Sequence, residues 1–133
     1  MVKILVIEDE DILLDTLSEL LRYEKYEIIG ASSGEAGLKL AVSARPDLVL
    51  CDVVLTGMDG YDVLKSLREN EITRQIPVIF LTGQASPKEV QTGMGMGVND
   101  YLCKPASRPE IVAAIRKQLD NHPAASDRMQ KAE

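Results

Sequence analysis

The chain has 133 residues, a formal net charge of −6 and 45% apolar residues, which suits one globular domain with a single buried core. No apolar run approaches the ~20 residues a membrane helix needs, and no signal-peptide pattern opens the chain, so a cytoplasmic protein without membrane contact is expected. The acidic balance argues against direct nucleic-acid binding, which requires a basic face, and Cys51 and Cys103 are too few and too far apart for a cysteine-held metal.

Residues 2–7 form a nearly continuous Val/Ile/Leu run, which predicts a strand buried on both faces. Four acids follow, Glu8, Asp9, Glu10 and Asp11, and then a helix over about 11–22 with Leu13, Leu17, Leu20 and Leu21 on one face. A weaker strand over 26–31 leads through Ser32-Ser33-Gly34 into a helix marked by Ala36, Leu40 and Ala41. The third strand, 47–51, ends at Asp52, and Asp59 is placed to cap a helix carrying Val63, Leu64 and Leu67. The fourth strand, 77–81, tolerates Pro77 at its start and ends at Thr82 and Gly83. Gly93, Gly95 and Gly97 each cost a helix about 1 kcal/mol relative to alanine. The helix over 87–97 is therefore expected to be short and mobile. A short strand over 101–103 runs into Lys104-Pro105, and a last helix over about 107–120 carries Ile111, Val112, Ile115 and Leu119. Residues 121–133 have no apolar period and read as a flexible polar tail behind a domain of residues 1–120.

Five strands alternating with five helices imply an α/β fold, a doubly wound parallel sheet with helices on both faces. In such sheets the functional site lies beyond the carboxyl ends of the strands, where strand order reverses. Glu8, Asp9, Asp52, Thr82 and Lys104 all stand there. Three neighbouring carboxylates repel one another, and a hard cation such as Mg²⁺ relieves that repulsion while keeping coordination positions for substrate oxygens. Glu8, Asp9 and Asp52 against Lys104 leave two negative charges, which one divalent ion cancels. A neutral site of that kind suits a phosphoryl group. Its transfer depends chiefly on positioning and on charge neutralisation. Asp52 is the nucleophile in this reading, with Thr82 and Lys104 holding phosphoryl oxygens.

The segments Ile7-Glu8-Asp9-Glu10, Leu50-Cys51-Asp52-Val53-Val54-Leu55-Thr56-Gly57-Met58-Asp59-Gly60, Leu81-Thr82-Gly83 and Asn99-Asp100-Tyr101-Leu102-Cys103-Lys104-Pro105, in that order and spacing, resemble the receiver domains of two-component response regulators. The resemblance is to single-domain chemotaxis regulators in particular and covers residues 1 to about 120. It implies a flavodoxin-like (βα)5 fold with strand order 2-1-3-4-5. It further implies that Asp9 and Asp52 ligate Mg²⁺ (or Mn²⁺), that Glu8 acts through a water, and that the Val54 carbonyl completes the protein ligands. Asp52 would be phosphorylated by a sensor histidine kinase or a histidine phosphotransfer protein, Thr82 and Tyr101 would switch, and Lys104-Pro105 would be cis. A downstream protein target would then meet the surface of the fourth helix, fifth strand and fifth helix. Two positions depart from the family pattern: Thr56 stands where proline is frequent, and Ala106 where an aromatic often follows Lys-Pro.

Three other functions fit less well. A haloacid-dehalogenase-like phosphatase would use Asp-x-Asp-x-Thr, but Val54 stands where its general acid must be, and such proton transfer is worth about 10²–10⁴ in rate. The protein is therefore expected to be a regulatory phospho-acceptor that catalyses only its own phosphorylation and slow dephosphorylation. A flavin carrier of the same fold would be repelled by four acids after the first strand, and a pure docking module would not need the full residue set. In the family this chain resembles, the side chains two residues beyond the nucleophile and beyond the threonine, here Val54 and Gln84, tune attack by water. With an apolar Val54 the resemblance therefore implies slow loss of phosphate. Strand alternation turns Cys51 to the opposite face from Asp52, and His122 is not expected to act. The uncharged stretch 92–97 and Ala113-Ala114 lean against a charged dimer face, so a monomer or weak dimer is expected, either stand-alone or as the receiver part of a longer protein.

Overall fold

The computed structural model describes residues 1–122. Five strands, β1 (Lys3–Ile7), β2 (Glu27–Ala31), β3 (Leu48–Cys51), β4 (Val78–Thr82) and β5 (Asp100–Cys103), alternate with helices α1 (Asp11–Tyr23), α2 (Gly34–Ala44), α3 (Gly60–Glu69), α4 (Pro87–Gly95) and α5 (Arg108–Asp120). The strands form one sheet in the order β2-β1-β3-β4-β5, and every pairing is parallel. This is the expected flavodoxin-like fold.

Alternation along the strands builds two cores. Ile4 and Val6 of β1 pack with Leu17 and Leu21 of α1 and with Ile111, Ile115 and Leu119 of α5. Leu5 and Ile7 face the other way, against Ala41 of α2 and Val63, Leu64 and Leu67 of α3. Cys51 lies in this second core, and burial pushes its thiol pKa up. Both sheet faces are covered, which is why the inner strands read as unbroken apolar runs.

Element ends differ from the sequence reading by a residue or two. Asp47 precedes β3 and spends its carboxylate on the Lys3 amide, at 2.8 Å. Thr82 is the last residue of β4, paired with Cys103, and β5 begins one residue early at Asp100. Helix α4 ends at Gly95 rather than residue 97, because Gly97 adopts φ +96°. A glycine reaches that region without strain. Ser107 is the N-cap of α5 rather than its first residue, with Glu110 completing a capping box. The expected tail from 123 onward lies outside the described residues.

The sheet order reverses between β1 and β3, so the loops after these strands face each other across the switch point. Helix α3 is seated hard against the second of these loops. The Gly60 amide donates to the Val53 carbonyl at 2.8 Å, and a Cβ at Gly60 would lie 2.5 Å from the Asp52 carbonyl oxygen and 2.7 Å from the Val53 Cα. Those are backbone atoms and cannot swing aside. Gly60→Ala is expected to destabilise the protein by about 1–3 kcal/mol in urea unfolding, although alanine is the better helix former. An unchanged or higher midpoint would contradict this packing.

Candidate functional site

The carboxyl edge of the sheet collects the candidate residues. Lys104, directly after β5, reaches past β4 and bonds two carboxylates, Glu8 Oε1 at 2.8 Å and Asp52 Oδ2 at 2.7 Å. Glu8 is 2% exposed and Asp52 7%, so the contact sits where water screens it little. Burial pushes the Glu8 carboxyl pKa up, against the opposing pull of Lys104. For Lys104 burial works to lower the pKa, but its hydrogen bonds to Asp52 and Glu8 prevail and raise it. The other Asp52 oxygen, Oδ1, accepts the Val54 amide at 3.1 Å. The Lys104–Pro105 peptide is cis.

Asp9 is held differently. Its Oδ2 accepts both the backbone N–H of Thr56 at 2.9 Å and the Thr56 hydroxyl at 3.0 Å. The amide bond is the largest cause of a lowered Asp9 pKa, so Asp9 is an anion near neutral pH. Sequence reasoning singled out Thr56 only as a departure from proline and did not foresee this role. Among the described residues no three His, Cys, Asp or Glu side chains form a ready metal cage. The candidates for cation contact are oxygen donors, Asp9, Asp52, Glu8 and the Val54 carbonyl, with a side-chain charge of −2 once Lys104 is counted. Hard oxygen ligands and an excess of negative charge fit Mg²⁺ and do not fit a soft metal.

Thr82 is fully buried, and its Oγ accepts the Gln84 amide at 3.2 Å. The carbonyl of the same Gln84 accepts the Tyr101 hydroxyl at 2.6 Å, so one peptide segment joins the two residues expected to switch together. The Tyr101 ring stands edge-on to Phe80, as does Tyr61 (both centroids at 5.6 Å), and the two phenol oxygens are 3.4 Å apart. Burial and the Tyr61 contact push the Tyr101 pKa up, so the phenol remains a neutral donor. Gly93 of α4 makes room for this ring, because a Cβ there would lie 2.9 Å from Tyr101 Cε2. The glycine that weakens the helix is thus a seat for Tyr101. Neither Tyr61 nor the Gln84 backbone gave a sequence signal of its role.

The profile described as a response regulator receiver domain matches residues 4–116. The chain is 40% identical over 119 residues to the sensory transduction protein RegX3 of Mycobacterium tuberculosis, covering 90% of this chain and 51% of that protein. A putative response regulator from Chloroflexus aurantiacus superposes with a TM-score of 0.84 at 35% identity, covering 89% of this chain and 97% of that one. The chemotaxis protein CheY4 of Vibrio cholerae superposes with a TM-score of 0.85 at 28% identity, covering 90% and 99%. The chain spans about half the length of the curated transcriptional regulators it matches and 26% of a longer relative, a probable cyclic di-GMP phosphodiesterase of Vibrio cholerae.

Gly93→Ala gains up to about 1 kcal/mol in helix propensity but crowds the Tyr101 ring. It is expected to expose one additional tyrosine in solvent-perturbation spectra, with little change in unfolding midpoint. Unchanged tyrosine exposure would show that the ring does not depend on the glycine.

Proposed function

Since the chain belongs to the family of response regulator receiver domains of two-component systems, we propose that it is a Mg²⁺-dependent switch in which Asp52 accepts a phosphoryl group from a sensor histidine kinase or a histidine phosphotransfer protein. The observation that carries this reading is the double contact of Lys104 with Glu8 and Asp52, at 2.8 and 2.7 Å. It places an ammonium beside the one carboxylate that follows β3, where an incoming phosphoryl group would need a counter-charge.

Asp9, Asp52 and the Val54 carbonyl would hold Mg²⁺, or Mn²⁺ in its stead, with Glu8 acting through a water. The ion would supply charge neutralisation for the phosphoryl oxygens and the orientation that in-line transfer needs. An Asp52 carboxylate oxygen forms a bond to phosphorus as the donor's P–N bond breaks. The imidazole departs with the electron pair and is protonated from solvent. Lys104 remains near the nucleophile throughout and takes up a phosphoryl oxygen as the carboxylate charge moves outward. Thr82 turns its hydroxyl to another oxygen, giving up the Gln84 amide it accepts in the structure. That exchange would tug the segment that also anchors Tyr101. The signal would reach a downstream protein through the α4, β5 and α5 surface. Val54 is 51% exposed beside Asp52 and cannot hydrogen-bond an attacking water through its side chain, which supports a slowly hydrolysed phospho-form.

Among the described residues no helix is long and apolar enough to cross a membrane. The acidic composition supports no direct nucleic-acid contact by this domain, and the uncharged stretch 92–97 with Ala113-Ala114 supports a monomer or weak dimer, read as cytoplasmic. The curated transcriptional regulators it matches are longer than this chain, so the domain is read either as a stand-alone regulator or as the receiver part of a longer protein.

Incubation with acetyl phosphate and Mg²⁺ is expected to add one phosphoryl group by intact mass, and both EDTA and Asp52→Asn should abolish it. A mass gain that survives Asp52→Asn would place the acceptor elsewhere.

A further inference from the structure

The loop between β3 and α3 alternates along its length. Val53 and Leu55 are buried at 3% and 7% exposure, whereas Val54 is 51% exposed, and Thr56 faces solvent. The buried pair roots the loop in the core beneath the sheet edge. Directly after Thr56 the chain turns through Gly57 at φ +79°, a conformation that glycine adopts without a steric penalty. The turn leaves the Thr56 amide and hydroxyl together at Asp9 Oδ2, at 2.9 and 3.0 Å. These bonds span 47 positions of sequence and tie the loop after β3 to the loop after β1.

A proline at position 56 could make neither bond, since it has no amide hydrogen and no hydroxyl. It would stiffen the loop covalently. This chain has a bidentate clip to the carboxylate of Asp9 instead. The clip determines two things together: the orientation of the Asp9 carboxylate, and the distance between Asp9 and the loop that carries the Val54 carbonyl. Without it, a half-buried aspartate and the solvent-facing part of the loop would each have to be ordered when a cation arrives, and that ordering entropy would weaken binding.

We propose that Thr56 is a positioning residue for the divalent cation: its amide and hydroxyl hold Asp9 and the β3–α3 loop in the arrangement that binds Mg²⁺, so that the clip sets the cation affinity of the site. This rests on the reading of Asp9 and Val54 as Mg²⁺ ligands. The role belongs to the side chain as well as to the backbone, so a hydroxyl at position 56 matters even though it touches no cation.

The test is a calorimetric Mg²⁺ titration of the unphosphorylated protein and of Thr56→Ser, Thr56→Val and Asp9→Asn. Outer partners of metal ligands are typically worth about 10–100-fold in affinity. For a solvent-facing clip that loses one of its two bonds, Thr56→Val should weaken Mg²⁺ binding by about 10-fold, the lower end of that range. Thr56→Ser keeps both donors and should match the parent. With Mg²⁺ raised to saturation, acetyl phosphate should label Thr56→Val as fully as the parent, which a general loss of folding would not allow. Equal or tighter Mg²⁺ binding by Thr56→Val, while Asp9→Asn abolishes binding, would overturn the role of Thr56 and leave the ligand assignment standing. Equal binding by the parent and Asp9→Asn would overturn both. Weak binding by Thr56→Ser would also overturn the proposal, since the hydroxyl would then not be what matters.

Discussion

A single ammonium organises the carboxyl edge of this sheet. Lys104 follows β5, an edge strand, yet its Nζ bonds Glu8 after β1 and Asp52 after β3. One side chain therefore ties three strands that are not all neighbours. Two carboxylates this buried would repel each other strongly with no cation between them. Breaking a buried ion pair by removing one partner typically costs about 3–5 kcal/mol. The arrangement remains short of neutral, with one ammonium between two acids and Asp9 nearby. That residual negative charge suits a divalent ion, and in the proposed function the ammonium would supply the charge an arriving phosphoryl group needs. Structural and chemical demands meet in the same two bonds.

The rest of the fold serves to deliver these groups. Parallel pairing places all strand ends at one edge, and the reversal of order between β1 and β3 leaves their loops apposed. The two cores on either side of the sheet fix the heights of the strands, so Glu8 and Asp52 cannot drift apart. Gly60 brings α3 down onto the backbone of Asp52 and Val53. On the far side, the Gln84 peptide connects Thr82 to Tyr101, and Gly93 opens space for the tyrosine ring. A change in what Thr82 accepts would therefore be felt by a half-buried aromatic at the surface of α4 and β5.

Much of this was legible in the sequence. The three inner strands were readable because strands buried on both faces become continuous Val/Ile/Leu runs, whereas the edge strands β2 and β5 gave weaker signals. The acids and Thr82 were readable because each stands immediately after such a run, and Lys104 because it follows the short fifth strand. The strand order itself came from resemblance, since periodicity does not say which strands pair. What stayed hidden were contacts between residues far apart in sequence. The Thr56 clip to Asp9 spans 47 positions. Arg68 fastens the carbonyls of Ile76 and Gly97 and the side chain of Asn99, and nothing in its helical neighbourhood announces that. Gly93 looked like a defect in α4 because propensity sees only the helix, whereas the glycine serves the ring packed against it. End positions shifted where a side chain captured backbone, as Asp47 does at Lys3.

The measurement that bears most directly on the account is a crystal structure with Mg²⁺ and beryllofluoride, which mimics an acyl phosphate. The account predicts beryllium at an oxygen of Asp52, with Lys104 and Thr82 both within hydrogen-bond distance of its fluorines. A well-ordered structure from saturating beryllofluoride in which Asp52 carries no beryllium and keeps its bonds to Lys104 and the Val54 amide would contradict the claim that this edge receives a phosphoryl group.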